Sequence, residues 1–119
     1  MKEDNIIREK SFDFAVNITK LRKYLYDDKK EFVLSRQLLR SGTSIGANIE
    51  EAIGGQSSKD FLAKITIAYK ETRETIYWLK LLYATEYLTK QQSENISKEA
   101  NEICKILGKI QTTMKNKVS

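Results

Sequence analysis

The sequence predicts an all-α fold, an antiparallel up-down-up-down four-helix bundle, on three observations. The chain has no proline and only five glycines, so the turn punctuation of a β-sandwich or barrel is missing. Residues of high helix propensity (Leu, Lys, Glu, Ala, Arg, Gln) dominate it. Four segments repeat apolar residues at helical spacing, and the breaks between them are short enough to favour antiparallel neighbours. A chain of 119 residues is the usual size of one domain, and residues 1–119 read as a single bundle able to bury a core without disulfide or metal.

The first segment places Phe14, Ile18, Leu21 and Leu25 on one face from about Ser11 to Tyr26, with Phe12 and Val16 broadening the stripe. Asp27-Asp28-Lys29-Lys30 interrupts it. The second runs from about Glu31 to Ile53 with Leu34, Leu38, Ile45, Ile49 and Ala52 on one face, and it stops at Gly54-Gly55, where a positive φ is inexpensive. Ser57 and Ser58 are N-cap residues for the third, and Asp60 stands where a capping box has its acid. Its core face is Leu62, Ile65, Tyr69, Thr72, Ile76, Leu79 and Tyr83. The fourth opens with Thr89 and Gln92, then repeats Ile96, Ala100, Ile103, Leu107, Ile110 and Met114 as a narrow seam.

Two features depart from a plain bundle. The middle of the second helix, Arg40 to Asn48, is a poor helix sequence, because each interior Gly costs about 0.8–1 kcal/mol relative to Ala. Gly42 and Gly46 lie on one face beside Ile45 and Ile49, where missing side chains let another helix approach closely; the alternative is a loop that splits the helix. The third helix carries a second stripe, Ile67, Glu71, Glu74, Trp78 and Leu81, away from its core face. The second helix has an outward stripe too, Arg36, Arg40, Thr43 and Ala47, followed by Glu50 and Glu51.

Such a surface implies a homo-oligomer, with arginines of one subunit pairing Glu71 and Glu74 of the next around Trp78. The interface expected is Arg36, Arg40, Ala47, Glu50, Ile67, Glu71, Glu74, Trp78 and Leu81. A Trp78 tucked inside its own subunit, with Glu71 and Glu74 held by that subunit's arginines, would remove this argument and leave only the bundle. A different occupant of the same outer faces of helices two and three is another protein's helix, which would make the chain an interaction adaptor.

Composition excludes much chemistry. With no histidine the commonest general base and metal ligand are absent, and a single cysteine allows neither an intrachain disulfide nor a multi-thiolate zinc site. Glu50, Glu51, Glu71 and Glu74 lack the Glu-x-x-His pattern of di-metal bundles and read as an ion-paired surface. Cys104 beside the seam reads as a small buried hydrophobe. No catalytic residue, metal site or cofactor is expected. The net charge of +5 comes mainly from the C-terminal half. Lys98, Lys105 and Lys109 follow one side of the fourth helix, Lys115 and Lys117 extend the row, and no acid follows Lys105. That row suits RNA or DNA phosphates, the other reading being a solvated helix face that complements the C-terminal dipole.

No apolar run approaches the roughly 20 residues that span a bilayer, so no membrane is expected as a partner. The start Met1-Lys2-Glu3-Asp4-Asn5 carries acids and no apolar stretch, which with the lone Cys104 points to the cytoplasm.

Several motifs occur together and in order: Lys10-Ser11-Phe12-Asp13-Phe14-Ala15, Leu34-Ser35-Arg36-Gln37-Leu38-Leu39-Arg40-Ser41, Ser44-Ile45-Gly46-Ala47-Asn48-Ile49-Glu50-Glu51-Ala52, and Asp60-Phe61 through Lys70-Glu71, Glu74 and Tyr77-Trp78-Leu79. Over almost the whole chain they resemble the bacterial four-helix bundle proteins encoded in intervening sequences of 23S ribosomal RNA genes, historically labelled S23 ribosomal proteins. The resemblance implies an up-down bundle and ring-shaped homopentamers. It also implies kinship with the accessory variability determinant proteins of diversity-generating retroelements, which engage nucleic acid through a basic surface. Carried over by position, the motif residues are Arg36, Arg40, Ser44, Asn48, Glu50, Glu71, Glu74 and Trp78.

Overall fold

The apolar spacings resolve into four helices, α1 (Lys2–Asp27), α2 (Leu34–Ile53), α3 (Ser58–Ala84) and α4 (Lys90–Val118). The computed structural model describes the backbone of residues 2–118 and the side chains of residues 5–117. The acidic side chains Glu3 and Asp4, used above against a secretory signal, lie outside the described side chains. Around the bundle α1 packs on α2 and α4, and α3 packs on α2 and α4, while the backbones of the diagonal pairs stay apart. The result is a rod of 46 × 21 × 20 Å. All regular structure among the described residues is helical, and no helix is long and apolar enough to cross a membrane.

Each helix buries its stripe, with differences that follow from the 100° step per residue. α1 begins well before Ser11 because Ile7, at 1% exposure, and buried Ser11 carry the core face one turn further back. Phe12 and Val16 do not broaden that face. Phe12 lies about 200° around the helix from Phe14 and is 68% exposed. In α3 the buried face is Ile65, Ala68, Thr72, Thr75, Leu79 and Leu82, so Leu62, Tyr69 and Ile76 sit at its edge and Tyr83 is exposed. Small Ala68 and Thr75 face inward because α3 lies close to α2 there, where Thr75 Oγ1 is 2.8 Å from the buried Ser41 Oγ. The α4 seam is buried as expected, from Ile96 to Met114, whereas Cys104 beside it is half-buried rather than fully covered.

α2 is one continuous helix through its glycines. A Cβ at Gly42 would stand 2.8 Å from Ile18 Cγ2 and 3.0 Å from Ile18 Cγ1, so this residue sets the approach of α2 to α1. A Cβ at Gly46 would meet only ordinary contact, 3.5 Å from the Ser11 carbonyl oxygen.

The helix ends use other devices than those expected. α2 starts at Leu34 rather than Glu31, because Glu31 is its cap. Its carboxylate accepts from the N–H groups of Val33 (3.3 Å), Leu34 (3.1 Å) and Ser35 (2.7 Å), and the Ser35 hydroxyl donates to the Glu31 carbonyl (2.7 Å). This satisfies the orphan donors of the first turn with a charged acceptor. No glycine has positive φ, and Gly54 has φ −82°. Gly55 is required for space instead: a Cβ there would lie 3.1 Å from the Ala52 carbonyl oxygen and closer still to the Asp60 carboxylate. The left-handed positions belong to Lys30 (φ 55°) and Glu86 (φ 69°), the latter in a turn where the Tyr87 N–H donates to the Leu82 carbonyl at 2.9 Å. Ser57 caps α3, accepting from the Asp60 N–H (3.1 Å), and Thr89 and Gln92 cap α4 reciprocally at 2.9 and 3.1 Å.

Three outcomes in chemical denaturation follow. Glu31→Ala lowers stability by about 1–3 kcal/mol, because three backbone donors lose a carboxylate. Glu86→Gly raises it by about 1 kcal/mol by relieving a left-handed non-glycine residue. Gly42→Ala lowers stability by about 1 kcal/mol despite its better helix propensity, since overpacking against Ile18 outweighs it.

Candidate functional site

The outer side of α2 and its two grooves hold most of the residues singled out by sequence. Arg40 projects from α2 toward α3, where Glu71 and Glu74, one turn apart, present their carboxylates. Arg40 Nη1 donates to Glu71 Oε2 at 3.1 Å, and Arg40 Nη2 donates to Glu74 Oε2. Trp78, one turn beyond Glu74, is half-buried against the core and donates its indole N–H to the same Glu74 oxygen at 2.9 Å. Its ring meets Tyr77 edge-on, with centroids 5.1 Å apart.

This is a correction to the intersubunit pairing expected above: Arg40, Glu71, Glu74 and Trp78 form one network within the chain. The physical reason is the close α2–α3 seam, built on Ser41 and Thr75, which brings the Arg40 guanidinium within reach of both carboxylates. Glu50 is likewise held within the chain, by Arg8 of α1, whose Nε is 2.6 Å from Oε2 and whose Nη2 is 2.9 Å from Oε1. Lys64 of α3 approaches Glu51 of α2 at 3.1 Å. Of the remaining interface candidates, Arg36 and Ala47 are exposed, Ile67 is 42% exposed and Leu81 is half-buried.

The Trp78 N–H, with the Arg40 guanidinium behind it, holds the Glu74 carboxyl below its ordinary value against the opposing effect of partial burial. Arg40 is shifted up in turn, chiefly by its hydrogen bond to Glu74. The ion pairs of Arg8, Lys10, Arg40, Lys64 and Lys90 join surface groups, and among the described residues no cluster of His, Cys, Asp or Glu is arranged to hold a metal ion.

The other side of α2 was not legible in the sequence. Between α1 and α2 an open groove of about 550 Å³ is lined by Arg8, Phe12, Ala15, Thr43, Gly46, Ala47 and Glu50. Exposed Phe12 forms one wall and the small residues of α2 form the floor. Including Ile7 in the first stripe would have signalled it, since that extension turns Phe12 outward.

On α4 the lysines 98, 105, 109, 115 and 117 are all exposed. The acids of that helix are each engaged: Glu94 with Lys90 (3.9 Å), Glu102 with Lys10 (3.1 Å), and Glu99 with the Asn17 amide (2.9 Å). Lys98, Lys105 and Lys109 therefore line one side without an acid partner among the described residues. The helix continues through Lys115 and Lys117, which places them roughly 80–100° to either side of that line rather than on it.

Because Glu74 is depressed, its contribution to stability is complete above the ordinary carboxylate range and is lost as pH falls through its lowered pKa. The only tryptophan reports on it directly. Acid titration followed by Trp78 emission is expected to show a transition below the ordinary glutamate range that Glu74→Gln abolishes, with a smaller acid-induced loss of stability in the variant.

The sequence pattern of the 23S rRNA-intervening sequence proteins matches residues 3–109. No curated protein matches the chain. Among solved structures, a crystal structure from Bacteroides thetaiotaomicron, described as a protein of unknown function from the S23 ribosomal protein family, is 53% identical. It covers 92% of this chain and 98% of its own, with a TM-score of 0.91. With the four-helix architecture and the ordered motifs of α1, α2 and α3, the match establishes that this chain belongs to the family of 23S rRNA-intervening sequence proteins.

Proposed function

We propose that the chain is a non-catalytic bundle protein of the cytoplasm that binds nucleic acid through α4 and assembles with copies of itself. The observation that carries the first part is the line Lys98, Lys105 and Lys109, exposed on a helix whose acids are all engaged elsewhere. Unopposed ammonium groups on a rigid helix neutralise phosphates without reading sequence.

Self-assembly no longer rests on Arg40, Glu71 and Glu74, whose charges are satisfied at home. What supports it is the α1–α2 groove. Phe12 is exposed beside it, and Gly46, which the bundle itself does not require, leaves a floor that a helix can approach closely. A groove filled by a different patch of the next copy is a head-to-tail contact, and such contacts close into rings when the rotation allows; five copies is the number the family resemblance implies.

Fluorescence anisotropy with labelled RNA tests the first part. If three phosphates of a single strand are neutralised, binding weakens about 20-fold between about 50 and 200 mM salt, and Lys98→Glu/Lys105→Glu/Lys109→Glu removes both the binding and that salt dependence. Unchanged affinity in the triple variant would refute the α4 assignment. For assembly, sedimentation is expected to show a multimer that Phe12→Asp reduces to a monomer with the fold intact by circular dichroism; a monomeric wild type at micromolar concentration ends that part.

A further inference from the structure

At one end of the rod the α1–α2 and α3–α4 connections lie side by side, and this end gathers aromatic rings and cations that the core does not use. On the α1–α2 side the Arg22 guanidinium lies over the Tyr26 ring, 4.7 Å from its centroid, and Tyr26 meets Phe32 edge-on at 4.7 Å. Tyr26 and Phe32 are 43% and 44% exposed. Across the tip, by the α3–α4 connection, a depression of about 440 Å³ is lined by Lys29, Tyr83, Glu86 and Tyr87, with Lys29 Nζ also 6.0 Å from the centroid of Tyr24, which lies about 200° around α1 from Tyr26. Among the described residues Arg22, Lys23, Lys29 and Lys30 have no acid partner.

We infer that this end holds two stacking positions for unpaired bases of a single-stranded nucleic acid, Tyr26 and Phe32 beside Arg22 at one and Tyr83 beside Lys29 at the other, with the cations as the phosphate and cation–π contacts. The inference rests on the nucleic-acid reading above and assigns a second, chemically distinct contact to it. Its physical basis is the pairing of two complementarities in one place. Aromatic faces half in water recover apolar burial and π-stacking when a base covers them, and neighbouring cations meet the backbone that carries the base.

Charge balance identifies the base as the main contact. Asp27, Asp28, Glu31 and Glu86 stand at the same end and offset the positive charge of Arg22, Lys23, Lys29 and Lys30. A surface built to track a duplex backbone would not carry them, whereas stacking is indifferent to a near-neutral field. The platform also joins the α4 line. Lys90 opens α4 at this end, and Lys98, first of the line, lies about 12 Å further along the helix, so a strand with its bases on the platform continues onto the lysines.

The test is anisotropy with a labelled single-stranded oligouridylate and an RNA duplex of equal charge, on the wild type and on Tyr26→Leu, Tyr83→Leu, Tyr26→Phe and Tyr83→Phe. Both positions are exposed enough for the fold to survive, which circular dichroism verifies. The expected result is tighter binding of the single strand than of the duplex. Each Leu variant weakens single-strand binding about tenfold with an unchanged salt slope, and each Phe variant retains it. Unchanged single-strand affinity in the Leu variants, with the α4 triple variant still defective, overturns the platform and leaves the nucleic-acid reading standing. Binding of neither ligand by the wild type overturns both. Leu variants that change the sedimenting mass without touching oligonucleotide affinity assign the rings to contact with another copy, which also overturns the platform.

Discussion

Everything on the outside of this molecule follows from how closely α2 is gripped by its two neighbours. Ser35, Ser41 and Gly42 are all buried on a helix whose core face also holds Leu38, Ile45 and Ile49. Gly42 leaves no room for even a methyl group against Ile18 of α1, and Ser41 shares a hydrogen bond with Thr75 of α3. With both seams tight, side chains at the edges of α2 are forced onto neighbouring helices: Arg40 onto Glu71 and Glu74, Glu50 onto Arg8. Beside Glu50 only the small residues Thr43, Gly46 and Ala47 face the α1 seam, so a shallow trough lies there where larger side chains would form a ridge.

That constraint also explains how a surface rich in charge says so little about partners. Exposed ion pairs contribute little to stability, and here their effect is mainly to remove from the surface the groups that looked ready to bind elsewhere. Arg40 and Glu74 are the clearest case. The spacing of Glu71, Glu74 and Trp78 on α3 is equally compatible with an intersubunit clasp and with a local one. What decides between them is the distance between the α2 and α3 axes, set by Ser41 and Thr75.

The fold was legible because period and caps agreed. The α4 seam, the Thr89–Gln92 cap and the Ser57 cap need only local chemistry, and each was read in place. Misreadings came where geometry between helices took over. The spacing of Tyr83 predicts a core position, but small Ala68 and Thr75 rotate α3 toward α2 and leave Tyr83 outside. Gly54-Gly55 was assigned a left-handed stop, yet the chain uses Gly55 for clearance and puts Lys30 and Glu86 in the left-handed positions. The Glu31 cap is not legible in the sequence because a glutamate three residues ahead of a helix has no standard capping signature; only its carboxylate reaching forward to three N–H groups reveals it. The candidate site was legible residue by residue and not as an arrangement, since one sequence gives no distance between elements.

The ring order of the helices bears on whether the proposed surfaces work together. α2 and α4 are diagonal, so an assembly built on the α1–α2 trough covers one side of the rod and leaves the α4 lysines on the opposite side. The aromatic end is perpendicular to both, at the tip of the 46 Å axis. Self-association along α2 would therefore multiply α4 lines and aromatic tips without blocking either. Several weak, sequence-independent contacts presented on one rigid body gain affinity through effective concentration, so on the proposed reading assembled copies of a chain of net charge +5 would hold a nucleic acid that a single copy would release.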